Sequence, residues 1–167
     1  MKKGYKKLKV KIITTGGTID KIYFDDKSEF QVGDPQIVEV LKEANITLDY
    51  DVIPLMRKDS LDMTDEDRKL IHDKIKSDPH KHFIVTHGTD TMILTAKALC
   101  NIPAKVIVLT GAMQPAKFRM TDAVFNIACA ITAVQLLPDG VYVAMNGRIF
   151  NPEKARKNNK LNRFETV

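Results

Sequence analysis

Phe83-Ile84-Val85-Thr86-His87-Gly88-Thr89-Asp90-Thr91 is the stretch that decides the fold. A short apolar run ended by a glycine turn reads as a strand buried on both faces. From Asp90 to Cys100 the apolar spacing is helical, and Val106 to Thr110 is a second short apolar run. Strand, helix and strand at these lengths make a right-handed βαβ unit, whose strands lie parallel in one sheet.

The alternation extends in both directions from this unit. Upstream, Leu8 to Thr14 reads as a buried strand. Residues 20–34 are polar and end in Gly33-Asp34-Pro35, where Asp34 is placed to cap a helix with Pro35 at its first position. Ile37, Val38, Leu41 and Ala44 form that helix's apolar face. Leu48 to Leu55 holds the next strand. Thr64-Asp65-Glu66-Asp67 opens a helix, with acids at its positive end, and Asp78-Pro79 stops it after Ser77. Downstream, Gly111 to Met120 reads as a loop and Thr121 to Leu137 as a long apolar helix ended by Pro138-Asp139-Gly140. Val141 to Met145 is the fifth strand. The expected fold is α/β: a doubly wound, mainly parallel sheet with helices on both faces, a Rossmann- or flavodoxin-like three-layer single domain. It is expected to occupy residues 1–150, with 151–167 a basic tail or flap.

A chain of 167 residues is long enough for one domain with a real core. No apolar run approaches the length of a membrane span. The basic start is not followed by an apolar stretch with a cleavage site, so no secretory signal is expected. Cys100 and Cys129 fall in apolar helical patterns and are expected as buried free thiols, which fits a reducing cytoplasm. The net charge of +5 is concentrated at the ends, with six lysines and no acid in residues 1–11. Without interleaved aromatics or a nucleic-acid-binding motif, these lysines read as a solvated strand edge and tail. Neither nucleic acid nor a membrane is expected as a partner.

A second glycine turn also carries a threonine: Thr14-Thr15-Gly16-Gly17-Thr18-Ile19-Asp20, after Val10-Lys11-Ile12-Ile13. In parallel α/β sheets, ligands bind outside the carboxyl ends of the strands, and both turns fall at that edge. Gly17 lets backbone approach a ligand, and Thr18 offers a hydroxyl for attack or hydrogen bonding. The competing reading is a turn or cap threonine. Gly88, Thr89 and Asp90 present a hydroxyl and a carboxylate that suits an ammonium; equally, Thr89 or Asp90 caps the next helix. Ser60 and Asp62 lie in a loop at the same edge. Lys157, in Lys154-Ala155-Arg156-Lys157, reads from spacing alone as a solvated tail lysine. His72, His80, His82 and His87 form no metal-ligand pattern, and neither glycine turn has the spacing of a phosphate-binding loop. No metal or cofactor is expected.

Thr15-Gly16-Gly17-Thr18-Ile19 together with Thr86-His87-Gly88-Thr89-Asp90-Thr91-Met92 resembles the bacterial-type L-asparaginase family. Gly111-Ala112-Met113-Gln114-Pro115 is similar to its third motif, with Asp122 and Phe125-Asn126 fitting the helix beyond. The resemblance implies hydrolysis of asparagine, or sometimes glutamine, to the acid and ammonia without a cofactor. It implies Thr18 as nucleophile, and Thr89 working with Asp90 and a lysine that aligns with Lys157. The residues by themselves leave open which threonine attacks first. It further implies Asp90 for the substrate α-ammonium, Ser60 for the α-carboxylate and the Ala112 backbone for the departing amide. Phe30 stands where the family often has a tyrosine in a mobile loop, with Tyr23 nearby, and Leu61 stands where many relatives have glutamine. Typical relatives carry a second domain that completes a neighbouring subunit's site, and a homodimer or higher homo-oligomer is expected by the same analogy. The alternative is an amino-acid-binding or regulatory module that keeps the pocket without turnover.

Overall fold

The central sheet is built from β1 (Lys9–Gly16), β4 (Asp49–Lys58), β5 (His82–Thr86), β6 (Val106–Thr110), β7 (Gly140–Met145) and β8 (Arg148–Phe150), in the order β4-β1-β5-β6-β7-β8. All neighbours pair in parallel except β8, which returns antiparallel on β7. The structure, a computed structural model, describes residues 8–24 and 29–167. The lysine-rich residues 2–7 lie outside the described residues. Lys9 and Lys11 do not stand free at the strand edge, because both pair with Asp51 on β4.

Alternating side chains along the strands feed two cores. Ile13, Phe83, Val85, Ile107 and Leu109 face one side, against α2 (Asp65–Ser77) and α3 (Met92–Leu99). Val10, Ile12, Ile84, Val106 and Val108 face the other, against α1 (Ile37–Glu43) and α4 (Ala123–Leu136). Burial on both faces is why these strands read as continuous apolar runs. The chain leaves β1 for α1 on one face and leaves β5 for α3 on the other. The crevice between their carboxyl ends is therefore the topological switch point, where ligands bind in such sheets.

Local signals act mostly as expected. Thr64 and Asp67 form a capping box: Asp67 N donates to Thr64 Oγ1 and Thr64 N donates to the Asp67 carboxylate. The Asp34 expectation is corrected. The α1 helix starts at Ile37 after Gln36, and Asp34 instead pairs with Arg57. The acceptor for the Gln36 amide is Asp20, sixteen residues earlier. The buried-thiol expectation is also corrected: Cys100, just past the end of α3, is exposed, and Cys129 is half-buried at the margin of the core.

The polar stretch after Thr18 contains an antiparallel hairpin, β2 (Lys21–Phe24) with β3 (Glu29–Val32). Residues 151–167 are structured as well. They form a 3-10 turn and a second hairpin, β9 (Ala155–Asn158) with β10 (Arg163–Thr166). Ala155 and Phe164 from this hairpin join the core on the α2–α3 side. Among the described residues no helix is long and apolar enough to cross a membrane.

Candidate active site

Three turns meet at the switch point through their backbones. Gly17, at φ +88°, packs so closely on Gly88 that a Cβ there would overlap the Gly88 Cα and nitrogen. On Gly88, a Cβ would come within 2.6 Å of Ser60 Cβ and Oγ. Only glycine permits this approach at either position. Hydrogen bonds fix the junction: Thr15 Oγ1 donates to Thr86 O (2.8 Å), Gly17 N to Lys58 O (2.9 Å) and Thr91 Oγ1 to Ser60 O (2.7 Å). Thr18 and Thr89 each follow directly on the Gly17–Gly88 contact. Thr18 begins a 3-10 turn and is half-buried, and Ser60 begins another. Ser60 Oγ is buried with no hydrogen-bond partner among the described residues.

Lys157 reaches this junction from β9. Its Nζ donates to Thr89 Oγ1 at 2.9 Å and to Asp90 Oδ1 at 2.6 Å. Its side chain is only 14% exposed, so it is not a solvated tail lysine. The helix-cap reading of Thr89 and Asp90 gives way too: α3 is preceded by Thr91, and no side chain caps it. Thr89 is buried, while the Asp90 side chain remains 40% exposed, open to a ligand.

His87 supports the second turn from beneath. It is fully buried; its Nδ1 lies 2.7 Å from the Gly88 carbonyl and its Nε2 lies 2.8 Å from Thr95 Oγ1. Burial pushes the imidazole down to about 4, although the Gly88 carbonyl pulls the other way, and Arg68 adds to the lowering. A neutral ring with Nδ1–H donating to Gly88 and Nε2 accepting from Thr95 satisfies both contacts.

The loop after β6 closes the remaining side. Met113 N and Gln114 N donate to the Asp122 carboxylate, and Asn126 Nδ2 donates to Gly111 O and Asp122. Ala112 is buried in this anchored loop. Ala116 N donates to Ile19 O, tying the loop to the Thr18 turn. Tyr23 and Phe30 face each other across the β2–β3 pair, ring centroids 5.2 Å apart, and Phe30 also meets Phe118 edge-on at 5.8 Å. Leu61 is 73% exposed beside Ser60. Among the described residues no group of three or more His, Cys, Asp or Glu side chains is placed to hold a metal ion.

Sequence reasoning missed three supporting residues. Asp20 holds the Gln36 amide. Asn146 accepts from Phe164 N and donates its own N–H to Asn126, linking the β9–β10 hairpin to α4. Phe164 anchors that hairpin in the core. Of these, only Phe164 carried a signal, as the one aromatic residue in a charged segment.

A family-level match to the asparaginase N-terminal region spans residues 9–166. The chain is 30% identical over 164 residues to L-asparaginase 2 of Escherichia coli (strain K12), covering 90% of this chain and 46% of that protein. Over 115 residues it is 33% identical to L-asparaginase 1 of the same organism, covering 65% of this chain and 33% of that protein. A shorter stretch of 68 residues is 43% identical to a component of the glutamyl-tRNA(Gln) amidotransferase of Methanococcus vannielii, covering 40% of this chain and 16% of that protein. The solved thermostable L-asparaginase from Thermococcus kodakarensis superposes with a TM-score of 0.83 at 27% identity, covering 96% of this chain and 51% of that one. The chain belongs to the asparaginase family, and it spans about half or less of the length of these relatives.

Proposed function

We propose that this chain carries a threonine amidohydrolase site acting on L-asparagine, yielding L-aspartate and ammonia. The observation that carries the reading is the pair of hydrogen bonds from Lys157 Nζ to Thr89 Oγ1 and Asp90 Oδ1. A cationic donor aimed at a buried hydroxyl oxygen stabilises negative charge on it, which is what a proton-transferring threonine requires.

In this reading Asp90 takes the substrate α-ammonium with its exposed carboxylate edge. Ser60 takes the α-carboxylate, whose arrival gives the buried Ser60 hydroxyl a partner. Thr18 Oγ1 attacks the side-chain amide carbon, the C–N bond breaks, and the threonine proton leaves with ammonia. The Ala112 backbone receives the departing amide. Water held by Thr89 and Lys157 then adds to the acyl carbon, and the ester bond to Thr18 breaks to release aspartate. The homo-oligomer, from family resemblance, and the cytoplasmic setting, from the free thiols of Cys100 and Cys129, are part of the same proposal.

The test is ammonia release by the purified chain from L-asparagine and from L-glutamine, with Thr18→Ala and Thr89→Ala alongside. Release by the wild type that both variants lose supports the reading. Aspartate binding without any ammonia release means that the chain is a binding module. Equal release by all three proteins means a contaminating enzyme.

A further inference from the structure

We propose that Asp20 is a positioning residue for the Thr18 turn, a clasp that closes the turn and the hairpin beyond it onto one buried residue. The proposal rests on the threonine-hydrolase reading of Thr18. Three hydrogen bonds meet at Asp20. Its N–H donates to Gly17 O at 3.1 Å, closing the turn around Thr18. Its carbonyl accepts from Gly33 N at 2.8 Å, and its Oδ1 accepts from Gln36 N at 2.9 Å. The chain that leaves Asp20 as β2 and returns as β3 is thus fastened to the residue it left, once by backbone and once by side chain. The hairpin so held carries Tyr23 and Phe30.

A purely local cap for α1 was available at Asp34 and is not used; Asp34 turns outward to Arg57. A carboxylate 2% exposed, with no direct ion pair among the described residues, is an expensive way to satisfy one amide. The arrangement is accounted for if the bond's role is to tie Thr18 to the hairpin. The surrounding charges are engaged elsewhere. Arg57 on β4 is bridged to Asp34, Lys21 to Asp59, and Glu39 on α1 to Lys42, while Lys117 of the loop after β6 is exposed. Burial pushes the Asp20 carboxyl up to about 7, opposed by the Gln36 N–H and by Arg57.

The experiment compares wild type, Asp20→Ala and Asp20→Asn by amide hydrogen exchange and by kcat and KM for L-asparagine. Asn keeps an acceptor oxygen for Gln36 and removes the charge. In Asp20→Ala, exchange at Gln36 and Gly33 is expected to quicken about tenfold, with Ile84 in β5 unchanged as the control on the fold. The same variant is expected to lose about tenfold in kcat with little change in KM, and Asp20→Asn to recover both. With an active wild type, unchanged exchange at Gln36 overturns the clasp. Faster exchange with an unchanged kcat, or failure of Asn to rescue, overturns the positioning role. A wild type that releases no ammonia overturns the hydrolase reading and the positioning role with it, while the exchange result still reports on the clasp.

Discussion

Gly17 and Gly88 touch backbone to backbone, with no room for a Cβ on Gly17. This contact joins the ends of two strands that lead to helices on opposite faces, and it sets the distance between the Thr18 and Thr89 turns. Gly88→Ala puts a methyl group 2.6 Å from Ser60 Cβ and Oγ. It is expected to destabilise by about 1–3 kcal/mol in urea melts and to abolish ammonia release by the folded fraction. Gly17→Ala is expected to cost more, because φ +88° is added to the overlap.

Removing the Lys157 ammonium leaves Thr89 and Asp90 without their shared donor. Lys157→Met is expected to lower kcat about a hundredfold or more while melting within about 1 kcal/mol of wild type. Lys157→Arg retains the charge but not a point donor that reaches both oxygens, so its rate is expected to stay low. Steady-state ammonia assays beside thermal melts check both.

Two buried groups pull the pH dependence of stability in opposite directions. The His87 imidazole lies at about 4 in the fold, lowered from 6.5. Between those values the unfolded chain binds the extra proton, so this group makes stability rise with pH. The Asp20 carboxyl is raised from 3.8 to about 7. There the folded chain binds the extra proton, so this group makes stability fall as pH rises. Across roughly pH 4 to 6.5 the two slopes oppose each other in the wild type. Asp20→Asn is expected to expose the His87 slope, a gain of about 3 kcal/mol from acid to neutral pH. Urea melts across that range check it; a wild-type slope as steep as the variant's contradicts the opposition.

Phe164 is 3% exposed, lies with its ring tilted against Phe150 at 6.3 Å and pairs in register with Lys157. Phe164→Ala is expected to cost about 3–5 kcal/mol and to free the hairpin that delivers Lys157. Phe164→Leu is expected to keep most of the stability and most of the rate. Denaturant melts with activity normalised to the folded fraction distinguish the two.

The sheet and the threonine turns were legible because both obey local rules. Phe83-Ile84-Val85 and Val106 to Thr110 are buried on both faces and so are apolar throughout. Gly17 and Gly88 mark close backbone approach by residue type alone. What escaped is non-local. The β2–β3 and β9–β10 hairpins are short and largely solvent-facing, so no apolar period announces them. Asp34 was a well-placed cap by position, but the competition with buried Asp20 is decided by tertiary packing. By spacing alone Lys157 was indistinguishable from its charged neighbours, and only the family resemblance singled it out, because what separates it is a contact 68 residues away. Cys100 sat in an apolar pattern whose face turned out to be solvent.

The β9–β10 pairing sets Ala155, Lys157 and Phe164 on one side of the hairpin, and Arg156, Asn158, Arg163 and Glu165 on the other. Glu165 gathers Arg156, Asn158 and Arg163 on that outer side, and Asn162 at φ +48° closes the turn. Parity therefore governs which of these side chains face inward. Deleting or inserting a single residue between Asn158 and Arg163 would shift β10 by one position along β9, turning Phe164 out to solvent and a charged neighbour inward with the rest of the composition unchanged. Length changes in that turn are tolerable only in steps that return Phe164 to the side of Lys157, so the seat of the Lys157 ammonium is encoded by spacing as much as by residue identity.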